Sequence, residues 1–360
     1  MKPLKGTPET PTCMKFNTKR SSPVLLLIAA VIWGFAFSAQ KLADELPPFT
    51  IGAIRYLLGT LFLIPMIPVF DSITGNGRRF FSRRGLDFTR REWIGGAICG
   101  LALALATTTQ QYGISGTTAG ATSFVTALYV IFVPIFSLVL GKKTPYNVWV
   151  GMGIALVGSY LLCVKGDFSV GLFDLIVLCS AMLFAVQIIA VGHYTQDCDG
   201  VRLSCLQFFF TFLFCTVGAL IFDRPWNFPL IGQNVLPLLF LGFGSSGIGF
   251  TFQTLGQKHT APALASLIMS LEAVFGAIGA ALFLAERLSA REYLGCAIVL
   301  LGVFLAQFDP LRFLRAPSRK AKDLPPTLEE TSSGTAGEPV PDLSDHEDPS
   351  APAAQDSAGS

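Results

Sequence analysis

The chain has 360 residues, 51% of them hydrophobic and 14% charged, with a mean hydropathy of +0.56. An ordinary soluble domain carries about 25% charged residues, so this composition excludes a soluble globular protein and reads as a membrane protein. The net charge of +2 is spread over loops rather than gathered in a basic patch with interleaved stacking aromatics, so no nucleic acid is expected as a partner.

Residues 1–22 are polar and carry Lys2, Lys5, Lys15, Lys19 and Arg20, which leads into an apolar run from Pro23 to Ala39. A cleaved signal peptide would have an apolar core of about 7 to 15 residues and release a soluble domain. This run is longer and more follow, so it is read as the first membrane helix. Further spans are expected at about 49–70, 93–112, 117–140, 147–164, 171–192, 203–222, 234–254, 261–284 and 292–308. Each is near the roughly 20 apolar residues that a helix needs to cross about 30 Å of hydrocarbon. The fold expected is an all-α, multi-pass membrane protein of ten transmembrane helices.

Orientation follows from Lys and Arg, which are retained on the cytoplasmic side during insertion. Of the 26 basic residues, 20 fall on segments that share a side with the amino terminus and five on the other, with Arg55 inside a span. Both termini are therefore expected in the cytoplasm, with a bacterial cytoplasmic membrane as the location. Trp93, Tyr146 and Trp149 then stand at cytoplasmic helix ends, as interfacial anchors do. The loop from Asp71 to Arg91 carries six arginines, read as topological signals or as contacts to lipid headgroups. From 309 the apolar pattern stops, and beyond Asp323 the chain is rich in Pro, Ser and acids with no Lys or Arg, the composition of a disordered cytoplasmic tail.

The eight cysteines lie almost all within apolar runs without CxxC or zinc spacing, and the three histidines are far apart. They are read as packing residues, and neither a metal site nor a cofactor is expected.

An internal echo organises the chain. A shift of 144 lays Gly151 on Gly295, Gly158 on Gly302 and Ala119 on Ala263, and a weaker shift of 151 lays Ile32–Phe35 on Leu183–Val186. The domains expected are a first five-helix repeat over 23–164 and a second over 165–308, between tails 1–22 and 309–360. An odd number of spans per repeat forces the two copies to insert in opposite directions, giving an inverted repeat about an axis in the membrane plane. Small residues at four-residue spacing, Ala30–Gly34–Ser38, Gly151–Ala155 and Gly276–Ala280, let helix backbones approach. The glycines at 242, 244, 247 and 249 make the eighth span either a bendable element or a tightly packed one, and Pro134 is expected to kink the fourth.

The sequence resembles the drug/metabolite transporter superfamily in its EamA-type branch. The likeness is carried by Trp33-Gly34, by Pro48 followed by Arg55, by Ala127-Leu128-Tyr129-Val130 with Val133-Pro134, by Ser270-Leu271-Glu272-Ala273-Val274-Phe275 and by Ala285-Glu286-Arg287-Leu288. It covers about 23–308. It implies a carrier of small metabolites, commonly exporting, whose central cavity is lined by helices one to four and six to nine, with the fifth and tenth peripheral.

Candidate substrate-binding or coupling residues are polar or aromatic groups deep in spans. Glu272 is either a proton acceptor or substrate contact, or a hydrogen-bonded carboxyl that joins two helices. Arg55 is about six residues from its helix end, roughly 9 Å; it either pairs with Glu272 in one state or reaches back to the interface. Trp33 stacks on substrate or fills the core, and Tyr129 offers a ring and a hydroxyl to a cavity or packs. Gln187 and Gln253, the deepest of five span glutamines, each need a hydrogen-bond partner. No catalytic residue is expected, since no nucleophile stands beside a base at a membrane face.

The reading is a carrier that moves a small-molecule substrate, an amino acid or related compound, across the bilayer by alternating access. Proton coupling and a homodimer are left open. The alternative is a structural or signalling membrane protein that docks partners through its acidic tail.

Overall fold

The computed structural model describes residues 18–74, 81–82, 85–163, 171–223, 227–283 and 289–307, all within the unit Met1–Pro310. Residues 1–17, the tail from 308, Arg78, Arg79, Arg83, Arg84 and the Glu286-Arg287 pair lie outside the described residues, and α1 takes in the last five residues of the expected amino-terminal tail.

The described chain is helical, apart from a hairpin of two-residue strands, β1 (Phe81–Ser82) and β2 (Gly85–Leu86). Its first three spans are α1 (Thr18–Leu42), α2 (Pro48–Thr74) and α3 (Arg90–Ser115). The fourth is broken into α4 (Ala119–Ala127) and α5 (Tyr129–Val139); α6 (Tyr146–Cys163), α7 (Leu172–Tyr194) and α8 (Gly200–Phe222) follow. After a short α9 (Phe228–Gln233), the eighth span is α10 (Val235–Leu239), a π-helical segment (Phe240–Phe250) and α11 (Thr251–Gln257). The ninth is broken into α12 (Pro262–Met269) and α13 (Glu272–Phe283), and the tenth is α14 (Ala290–Gln307). Among the described residues nine helices are long and apolar enough to cross a membrane, and Tyr146–Leu162 is a shorter apolar helix. Together they account for the ten expected spans.

Helix ends are fixed by local polar groups. Thr89 and Glu92 form a reciprocal cap on α3, and Glu292 accepts from the Ser289 backbone at 2.6 Å at the start of α14. These acids satisfy backbone N–H groups that a helix start leaves open.

The packing repeats itself. α3 lies against α7 and α8, and the eighth span lies against α1 and α2. The fourth span lies on α7, and α13 on α1. Each contact has a counterpart five spans on, so the repeats interlock rather than stand side by side. α6 and α14 show the axis most directly. A Cβ on Gly151 would lie 2.5 Å from the Gly302 carbonyl, and one on Gly158 2.8 Å from that of Gly295. Numbers rise on one helix as they fall on the other, so the pair is antiparallel. Because 151 echoes 295 and 158 echoes 302, each residue meets the copy of the other, the self-complementary contact that a twofold axis produces.

Two of the spans are interrupted within the bundle. The fourth span stays helical through Pro134 and is interrupted at Leu128, where Leu128 N bonds Val125 O and Ile131 N bonds Leu128 O. The ninth tightens in the same manner at Leu271, with Leu271 N on Ile268 O and Val274 N on Leu271 O. On the shift of 144 the two breaks fall one residue apart, so they belong to the repeat and not to a proline found in one copy. The eighth-span glycines serve packing: a Cβ on Gly242 would meet Leu58 at 2.6 Å and one on Gly247 would meet Phe62 at 2.7 Å. The same stretch is widened into a π-helix, a form concentrated at functional sites.

The close contact predicts a contrast. Gly302→Val forces apart backbones that have nowhere to move and should cost at least the roughly 1–3 kcal/mol of an overpacked core, read as a lower melting temperature in detergent. Gly153→Val, on the facing helix α6 but with nothing within 4 Å of its Cβ position, should leave melting unchanged.

Candidate functional site

A hollow lies in the middle of the bundle, lined by side chains from the first four spans and from the sixth, eighth and ninth. None comes from α6 or α14, and α8 reaches it only from behind. The broken helices meet here: Tyr129 starts α5 and Glu272 starts α13, each at the break of its own span. Irregular backbone at this depth is tolerated only where it is enclosed by protein or lines a cavity.

All six residues singled out from the sequence, Glu272, Arg55, Trp33, Tyr129, Gln187 and Gln253, line this hollow. Glu272 is 3% exposed and stands beside the Tyr129 hydroxyl, the one side-chain group that bears on it; neither Glu272 Oε1 nor that hydroxyl bonds any other partner among the described residues. Arg55 is 5% exposed and does not reach back to the interface. Its Nε donates to Ser246 Oγ at 2.8 Å and its Nη2 to Ser245 Oγ at 2.7 Å, while its Cζ lies 5.3 Å from the Tyr56 ring and 5.8 Å from the Phe250 ring. It makes no ion pair with Glu272 in this conformation. Trp33 Nε1 donates to the Ser245 carbonyl at 3.3 Å, and its ring lies 4.6 Å from that of Phe250.

Two groups of amides flank the hollow at its opposite ends. Toward the carboxyl end of α1, Gln40 Nε2 donates to Gln110 Oε1 at 3.0 Å and to Gln111 Oε1 at 3.2 Å, and Gln110 Nε2 donates to Thr126 at 3.0 Å. Toward the other end, Gln253 Nε2 donates to Gln187 Oε1 at 3.1 Å, and Gln187 Nε2 donates to Gln207 Oε1 at 3.3 Å. Each group ties together separate spans of one repeat, α1, α3 and α4 in the first and α7, α8 and α11 in the second. The cavity between them measures about 30 Å³. That holds one or two waters, at roughly 10–15 Å³ each, and no metabolite, so this is a closed form of the hollow.

Sequence reasoning passed over Ser245, Ser246, Gln40 and Gln207. The first two carried a signal, a pair of hydroxyls within the glycine-rich eighth span. Outside the hollow the structure joins α2 to α8 at both ends. Arg202, fully buried, donates to Asp71 through Nη1 at 2.8 Å and Nη2 at 2.7 Å. At the opposite end Asp223 Oδ2 accepts from Thr50 N at 2.7 Å and Thr50 Oγ1 at 2.9 Å.

The EamA-like transporter family matches residues 20–164 and again 171–308. An uncharacterized transporter of Archaeoglobus fulgidus is 29% identical over 282 residues, 78% of this chain and 83% of the relative. One of Clostridium kluyveri is 22% identical over 297 residues, 78% and 90% of the two chains. A crystal structure at 18% identity superposes with a TM-score of 0.65 over 82% of this chain and 99% of its own, which is a likeness of fold.

The buried pair at the end of α2 yields a prediction. Asp71→Asn removes the carboxylate that Arg202 meets through two nitrogens and leaves Asp199 at 3.7 Å, so it should destabilise the protein toward the lower end of the roughly 3–5 kcal/mol of a broken buried pair, measured as a drop in melting temperature. A change within error would show that the pair carries little of the bundle's stability.

Proposed function

The chain belongs to the EamA-like transporter family, and from that membership we propose that it exports a small polar metabolite, an amino acid or a related compound, by alternating access. The observation that carries the reading is the closed polar hollow, placed where two oppositely inserted repeats meet and bounded by an amide group at each end. One packing solution seen from two sides supplies two states of similar energy, and a ligand shifts between them only by its difference in affinity. Opening the Gln40–Gln110–Gln111 group admits one compartment, and opening the Gln187–Gln207–Gln253 group admits the other. Both termini face the cytoplasm in this reading, in agreement with the Lys and Arg distribution.

Glu272 is the coupling residue of the proposal. It is an acid within a membrane span whose one polar side-chain neighbour is the Tyr129 hydroxyl, so it has the chemistry to take a proton when the substrate leaves and yield it when the substrate binds. The full chain in proteoliposomes, tested for uptake and efflux against a metabolite panel with and without a pH gradient, measures this. Glu272→Gln should lower flux at least tenfold at unchanged abundance, and Arg55→Ala should do the same. Wild-type flux in both variants would end the site assignment, and flux indifferent to the gradient together with an active Glu272→Gln would end proton coupling. Removal of residues 309–360 should leave flux intact; a protein that docks partners through that tail would lose its role.

A further inference from the structure

Two arginines are buried among the described residues, and their surroundings differ in kind. Arg202 meets the Asp71 carboxylate through two nitrogens and lies 3.7 Å from Asp199. Arg55 meets no carboxylate. Its hydrogen-bond partners are two serine hydroxyls and its other neighbours two aromatic faces. A guanidinium has five N–H donors; here two are engaged, and the others find no acceptor among the described residues.

A buried cation left with neutral partners is costly, by several kcal/mol per ion after relaxation. The surrounding structure holds it nonetheless. Ser246 fixes Nε, Ser245 fixes one end of the fork, and the Tyr56 and Phe250 rings fix the plane. Glycines at 242 and 247 bring the π-helical segment close enough to α2 for those serines to reach. This is a preorganised fork whose open side faces the hollow, and a planar fork suits a carboxylate, which accepts two parallel N–H bonds.

We propose that Arg55 is the docking point for the carboxylate of the transported compound, so that a carboxylate is a required feature of its substrates. The proposal rests on the carrier reading above and deepens it. Trp33, Phe184, Ile188 and Phe250 supply apolar wall beside Arg55 and the neighbouring Glu272 and Tyr129 oxygens. An amino acid therefore places its carboxylate on Arg55, its side chain along the rings and its ammonium toward Glu272. A second void of about 10 Å³, lined by Pro48, Gly52 and Thr108 among others, touches Arg55 from the side of the α2 amino terminus. Arg55 thus stands between the hollow and that end of the bundle, where a departing carboxylate passes it.

The test compares matched compounds that differ at one group: L-leucine, L-leucinamide, 4-methylpentanoate and isopentylamine, with the same series built on alanine and phenylalanine. Flux is measured for the full chain in proteoliposomes, in chloride and in gluconate. Across the series wild type should move carboxylates at least tenfold faster than the matching amides and amines. Arg55→Gln should abolish that preference, and Arg55→Lys, a point charge without the fork, should restore part of it. Equal flux of leucine and leucinamide through wild type, or full discrimination by Arg55→Gln, overturns the carboxylate site. Flux that requires chloride and ignores the carboxylate overturns it too, since Arg55 then holds an inorganic anion. Movement of amides or amines alone leaves the carrier reading standing and ends this one. No flux of any compound brings down the carrier reading itself.

Discussion

In a bilayer two helices gain nothing by hiding apolar surface from each other, because lipid is as apolar as leucine, so they associate where backbones approach closely or polar groups pair. This protein uses the two means in different places. The meeting of Gly151 with Gly302 and of Gly158 with Gly295 brings α6 and α14 together at backbone distance, on the periphery and about a twofold axis. The centre is left to polar contacts, the two amide groups and the serines around Arg55. A bundle tight at its edge and polar at its middle keeps a fixed frame around a region that exchanges partners.

Legibility in the sequence follows the same division. The spans were readable because a membrane imposes a length and a composition, and the repeat because helices packed closely about an axis need glycine at corresponding places in both copies. Glu272, Arg55, Gln187 and Gln253 were readable because an ionisable or amide group within an apolar run is costly and has to be accounted for. The serines at 245 and 246 were not, since hydroxyls are common in spans and bond their own backbone; their role depends on a π-helix that turns them toward α2. The pairing of Asp71 with Arg202 joins residues 131 apart, and each alone reads as a loop charge. The break at Leu128, six residues before Pro134, has no residue signature of its own: Leu128 and Leu271 are ordinary span leucines, and only the backbone shows the interruption.

Arg55 and Glu272 share one hollow without touching, and this bears on mechanism. Were they paired, each would neutralise the other and the hollow would have little reason to take in a charged solute. Held apart, Arg55 by Ser245 and Ser246 and Glu272 at the break of the ninth span, they form a polar axis across an apolar space. The closed cavity of about 30 Å³ means that this axis meets a solute only after one of the amide groups has parted.

The central claim, that one end opens while the other stays shut, is tested most directly by distances across each end of the hollow. Spin labels at Leu42 and Ser115 mark one end, and labels at His193 and Lys258 the other. In the reconstituted protein, with and without transported solute, the account predicts that whenever one distance is long the other is short, so that only one end widens at a time. Simultaneous widening of both ends, or a solute-dependent change at neither, would contradict it.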